Sequence, residues 1–80
     1  MAQINRIGEK DTIRAYSYDK NDKLIATVYD SGFSSVKEVV RRLSEKGSGW
    51  LKKIYTVNII NEDRGGSYWY NIKGSKIVKQ

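Results

Sequence analysis

"SGFSSVKEVVRRLSEKG", residues 31–47, decides the fold, because its apolar residues follow a helical period. Val36, Val39, Val40 and Leu43 stand at i, i+3, i+4 and i+7, one face of a helix. Ser35 and Glu38 form an S-x-x-E capping box at its start, and Gly47 stands where a C′ glycine belongs. Phe33, just before the helix, is expected to join the core that anchors its entry. The stretch is short, and three of its four core residues are β-branched. Packing rather than intrinsic propensity must therefore hold it as a helix.

Outward from this helix, both flanks change to a period of two. Upstream, "TIRAYSY" (12–18) sets Ile13, Ala15 and Ser17 against Arg14, Tyr16 and Tyr18. "LIATVYD" (24–30) sets Leu24, Ala26 and Val28 against Ile25, Thr27 and Tyr29. The polar "DKNDK" (19–23) between them makes a β-hairpin, with Asn21 or Asp22 taking the left-handed position that glycine usually fills. Downstream, "GSGWLKK" (47–53) is a joint. "KIYTVNIIN" (53–61) and "SYWYNIK" (67–73) are strands across the turn "EDRGG" (62–66). "GSKIVKQ" (74–80) either continues the last strand past a bulge at Gly74 or frays. Residues 1–11 are weakly patterned and read as a frayed arm or an edge strand.

The order is ββαββ, and residues 1–80 make one α+β domain. Its expected architecture is a four-stranded, mainly antiparallel sheet with one helix on one face and a short fifth edge strand available from a terminus. A chain this short buries only about 60% of the surface its unfolded form exposes. It has no Cys and no His, so neither a disulfide nor a zinc ion is expected to staple it.

Charge and composition narrow the function classes. Fifteen Lys and Arg stand against nine Asp and Glu, a net charge of +6, which suits polyanionic partners as well as plain solubility. No apolar run approaches the length of a membrane span, and "MAQINRIGEK" lacks the apolar middle of a signal peptide. A soluble, cytoplasmic protein with no membrane partner, no metal and no cofactor is expected.

Catalysis is not expected, because the commonest general base and the strongest nucleophile are missing with His and Cys. The carboxylates Asp19, Asp22, Asp30, Glu62 and Asp63 stand mostly at turns, where they serve local hydrogen bonds. "DKNDK" opens like a calcium loop but has Lys23 and Leu24 where Asp or Asn and then Gly are needed. "GSGWLK" has a G-x-G, but it follows a helix instead of opening one. On the helix, Glu38 before Arg42 and Glu45 after Arg41 are spaced to pair, so Arg41 and Arg42 read as a solvated face.

The informative feature is the aromatic run Tyr68, Trp69, Tyr70. Successive strand residues point to opposite faces, so this strand is aromatic on both sides. One helix covers one face. Tyr55, Val57, Ile59, Tyr68, Tyr70 and Ile72 belong with the helix, as do Ile13, Ala15, Leu24, Ala26 and Val28. The opposite face is then left with Arg14, Tyr16, Tyr18, Ile25, Thr27, Tyr29, Ile54, Thr56, Asn58, Ile60, Trp69 and Asn71. That surface is too apolar for an ordinary solvated face, which points to an interface.

Three readings follow. Single-stranded DNA or RNA can stack its bases on Tyr16, Tyr18, Tyr29 and Trp69, with phosphates near Arg14, Lys20, Lys23, Lys52, Lys53 and Arg64. A second copy can pair with the face, giving a homodimer. Or the rings are simply good strand formers, half exposed. Charge and aromatics together favour a small non-enzymatic module that binds nucleic acid, with a homodimeric protein-interaction or structural domain as the alternative. No RNP-like motif, GXXG loop or zinc knuckle is present.

Overall fold

A computed structural model describes residues 7–46, 54–74 and 76–80. Five strands and one helix follow in the order β1 (Ile13–Tyr18), β2 (Leu24–Asp30), α1 (Val36–Lys46), β3 (Thr56–Asn61), β4 (Ser67–Lys73) and β5 (Lys76–Lys79). The sheet order is β2-β1-β3-β4-β5, with every neighbouring pair antiparallel. The class is therefore α+β with the helix packed on the sheet, and the ββαββ core has a fifth strand at its C-terminal end. Gly47, Lys52 and Lys53, singled out in the sequence, lie outside the described residues.

The helix starts where the capping box puts it. Ser35 Oγ accepts a hydrogen bond from the Glu38 N–H at 3.3 Å, and Glu38 Oε1 accepts one from the Ser34 N–H at 3.3 Å. The Glu38 side chain thus reaches one residue further back than in the reciprocal box. Val39, Val40 and Leu43 are buried and face the β1–β2 side of the sheet, while Val36 is half-buried. Phe33 is buried at the helix entry, and the Arg42 guanidinium lies over its ring at 5.1 Å. Arg42 pairs with Asp30 at 3.0 Å rather than with Glu38, because the Glu38 carboxylate is committed to the cap. The Ser31 N–H first, and Arg42 second, hold the Asp30 carboxyl below its usual range. Replacing Ser35 with Ala should lower stability by about 1 kcal/mol, read as a fall in the urea midpoint. An unchanged midpoint would mean that the Ser35 hydroxyl does not hold this helix end.

The turns follow local chemistry. In the β1–β2 turn Asp22 takes φ 63°, the left-handed position expected of Asn21 or Asp22. Asp19 Oδ1 accepts from the Asn21 and Lys23 N–H groups at 2.8 and 3.0 Å, which closes the turn. These backbone donors, Lys23 before Asn21, lower the Asp19 pKa. Gly74, at φ 65°, marks a tight turn and not a bulge. The chain reverses there, and β5 returns along β4 with Ile72 opposite Ile77. Lysines at both ends of this short edge strand, Lys76 and Lys79, discourage pairing with another chain.

One irregularity reassigns two side chains. The β1–β2 register is continuous from Ile13↔Asp30 to Ser17↔Ala26, then jumps to Tyr18↔Leu24. Ile25 is the extra residue of a β-bulge. Alternation slips by one there, so Leu24 stands opposite Tyr18 and is 56% exposed, while Ile25 packs against the core. Both expectations for this pair are reversed. The bulge also explains Ser17, a fully buried hydroxyl at an apolar phase of β1. Ser17 Oγ accepts from the Ala26 N–H at 3.1 Å and donates to the Ala26 carbonyl at 3.2 Å, satisfying backbone groups that the bulge takes out of the regular ladder.

A second correction falls at the start of β3. Ile54 was expected on the uncovered face and Tyr55 beneath the helix. Ile54 is buried in the core, and Tyr55 is exposed. Strand structure begins only at Thr56, so period-two alternation does not govern Ile54.

Candidate functional site

The helix side of the sheet carries Ile13, Ala15, Val28, Val57, Ile59, Tyr70 and Ile72, all buried. Among the described residues no helix or strand packs on the opposite side. The registers place its side chains in rows across the strands. Tyr29, Arg14, Ile60 and Ser67 form one row; Thr27, Tyr16, Asn58 and Trp69 the next; Leu24, Tyr18, Thr56, Asn71 and Val78 the third.

The aromatic part is built around β1 and β4. Tyr18 and Trp69 meet diagonally across β3, ring centroids 5.8 Å apart and tilted by 31°. Trp69 remains 43% exposed despite this contact. Asn58, in the row between Tyr16 and Trp69, is buried. Its Nδ2 donates to Ser67 Oγ at 3.0 Å and to the Tyr68 carbonyl at 3.1 Å, which ties β3 to β4. Gln80 Nε2 donates to Asn71 Oδ1 at 2.8 Å, so the amides at this side of the face are also ordered.

The cations named from sequence separate in space. Arg14 lies on this face, 2.8 Å from Glu62 Oε2, with its guanidinium 5.0 Å above the Tyr29 ring. The Tyr16 hydroxyl first, and the Glu62 carboxylate second, favour its charged form still further. Arg64 belongs to the β3–β4 turn, where its Nε donates to Asp11 Oδ2 at 2.7 Å. There it ties the turn to Asp11. Asp11 Oδ2 also accepts from Gly8 N–H at 2.9 Å and Asn61 Nδ2 at 3.0 Å, while Asn61 Oδ1 accepts from the Asp63 and Arg64 N–H groups. These bonds, Asn61 foremost, hold the Asp11 carboxyl down at about 2. Tyr16, Tyr18, Tyr29 and Trp69 thus share a face with Arg14, and Arg64 is drawn to one end of it.

Two contributors escape sequence reasoning. Leu24 joins the face only because of the bulge, whose one signal is a serine at an apolar phase of β1. Lys73 comes to the same end of the sheet as Lys20 and Lys23 because β4 runs antiparallel to β3, and Lys76 joins it because β5 folds back. Fold and site together define an α+β domain with one sheet face packed by a helix and an aromatic second face left without cover among the described residues. No protein-family model, no curated protein and no solved structure matches the chain.

Proposed function

We propose that this domain is a non-enzymatic binding module whose uncovered sheet face takes single-stranded DNA or RNA. The observation that carries the reading is the exposed Trp69 ring resting against Tyr18 on a sheet face flanked by Tyr16 and Tyr29. Flat rings on a rigid sheet stack bases without demanding a sequence, because every base has a π face. Four protein rings pre-positioned in this way lose little side-chain freedom on binding. The net charge of +6 supplies the long-range attraction.

Removing the Trp69 ring should reduce affinity by about 1–3 kcal/mol, the worth of one stacked base. The check is a titration of labelled oligothymidylate and oligouridylate into wild type and Trp69→Ala, with circular dichroism showing that the variant is folded. No binding of either probe at low salt by the wild type ends this reading. Equal binding by the variant removes the stacking role of Trp69.

Leu24 and Val78 support a second reading, because exposed aliphatic side chains on the same face offer nothing to a base plane that a partner protein would not use better. We propose that the same face pairs with a second copy at high micromolar concentration, burying Leu24, Trp69 and Val78. Each fully buried side chain of this kind contributes roughly 1.5–3 kcal/mol. Sedimentation equilibrium up to millimolar concentration tests it, and a monomer throughout rejects it.

A further inference from the structure

We infer that a bound single strand crosses the β-strands with its phosphates along one end of the sheet only, the end built by the β1–β2 and β4–β5 turns. The site then holds on the order of three nucleotides, as an open four-stranded sheet does elsewhere. The inference rests on the base-stacking reading of the face and adds to it a direction, a length and a set of phosphate contacts.

Topology makes the two ends of the sheet unlike. At one end β1 finishes at Tyr18, β3 begins at Thr56 opposite it, and the two hairpin turns contribute Lys20, Lys23, Lys73 and Lys76. All four lysines are exposed, and none takes part in an ion pair among the described residues. The turn also holds two carboxylates. Asp19 accepts from the Asn21 and Lys23 N–H groups and stays charged beside Lys23 and Lys20, so it and Asp22 offset two of the four lysine charges and the end keeps a positive surplus. The Tyr18–Trp69 pair lies toward this same end.

The opposite end is electrostatically closed to phosphate. Glu62 and Asp63 from the β3–β4 turn gather there with Asp30 and Asp11. The arginines present are each held by one of these carboxylates: Arg14 by Glu62, Arg42 by Asp30 and Arg64 by Asp11, at 2.8, 3.0 and 2.7 Å. A phosphate approaching this end meets carboxylates first and arginines already paired with them, while the lysine there, Lys10, stands between Glu9 and Asp11 in the chain.

The rings fit a path across the strands. Trp69 is on β4, Tyr18 and Tyr16 on β1, and Tyr29 on β2. Neighbouring strands lie about 4.8 Å apart, so β2 to β4 is a span of about three such spacings. A backbone laid along the lysine end keeps its bases over these rings for that distance and no further. Stacking contacts therefore stop growing once the sheet has been crossed.

The test uses labelled oligothymidylates and oligouridylates of two to twelve residues, with a salt series for each. Affinity should rise steeply to about three or four nucleotides and then only as the number of equivalent binding frames increases. The double variants Lys20→Gln/Lys23→Gln and Lys73→Gln/Lys76→Gln should each weaken binding at least several-fold. Each should also flatten the salt slope by about 0.7, one phosphate contact's worth on a single strand, since about three nucleotides bring only two or three phosphates to the track. Lys10→Gln and Lys37→Gln, away from the track, should leave the slope unchanged. Control variants as damaging as the track variants, or affinity that climbs with every added nucleotide, would overturn the one-sided track. The stacking reading would survive that result as long as Trp69→Ala still weakened binding. Absence of binding to every probe would overturn both.

Discussion

Replacing Leu43 with Ala should lower the stability of the domain by about 2–5 kcal/mol, the range for truncating a buried leucine. Leu43 is fully buried, and with Val39 and Val40 it forms the seam by which α1 holds the sheet. An 11-residue helix is marginal in isolation, and its own β-branched residues do not favour it. The loss therefore falls both on the contacts of Leu43 and on the helix they support. Domain stabilities of about 5–15 kcal/mol are the norm, and a short chain sits toward the lower end. Urea denaturation at constant m-value would show a lowered midpoint. Val36→Ala, at a half-buried position on the same face, should cost clearly less. A Leu43→Ala loss no larger than that of Val36→Ala would mean that the seam does not carry the helix.

The second large effect concerns the polar knot at the carboxylate end of the sheet. Asn61 is buried, donates to Asp11 and accepts from two backbone N–H groups of the β3–β4 turn. Asn61→Ala strands those partners and should cost about 1–3 kcal/mol, because a desolvated donor left unpaired loses its water without replacement. The pH dependence gives a sharper reading. Folding lowers the Asp11 pKa from 3.8 to about 2, so its contribution is fully present above 3.8 and disappears as pH falls through about 2. The Asn61 hydrogen bond is the foremost cause of that depression, so Asn61→Ala should return the Asp11 pKa toward 3.8. The stability difference between wild type and variant should then shrink as pH falls across this window. Asn61→Asp provides the converse: a second carboxylate beside Asp11 should destabilise at neutral pH and recover on acidification. A difference that is flat between pH 7 and 2 for both variants would separate Asp11 from this knot.

The two faces of the sheet are held differently, and the difference bears on binding. The helix face is an apolar core with Ser17 as a polar insert satisfied by the bulge. The aromatic face is fixed from beneath by amide contacts, Asn58 to β4 and Gln80 to Asn71. Of its rings, Tyr18 and Trp69 rest on each other with centroids 5.8 Å apart, and Tyr29 lies under the Arg14 guanidinium.

Local pattern determined the helix, its cap, both hairpin turns and the facing of most strand residues. These depend on interactions within a few residues: Ser35 with Glu38, Asp19 with Lys23, and alternation along Ile13–Ser17 and Ser67–Lys73. Local pattern likewise separated the Tyr16, Tyr18 and Trp69 side from the Ala15, Val57 and Tyr70 side. It did not determine strand order, since pairing β3 with β1 is a contact between segments some forty residues apart. Nor did it determine that β5 folds back at Gly74, a choice between two backbone states open to any glycine. The exchange of Leu24 with Ile25 required the tertiary structure because a bulge is a property of two strands in register, invisible in either alone. For the same reason the sorting of charge into a lysine end and a carboxylate end was decided by the fold. Lys20, Lys23, Lys73 and Lys76 are distant in the chain, and antiparallel pairing alone sets their turns at one end of the sheet.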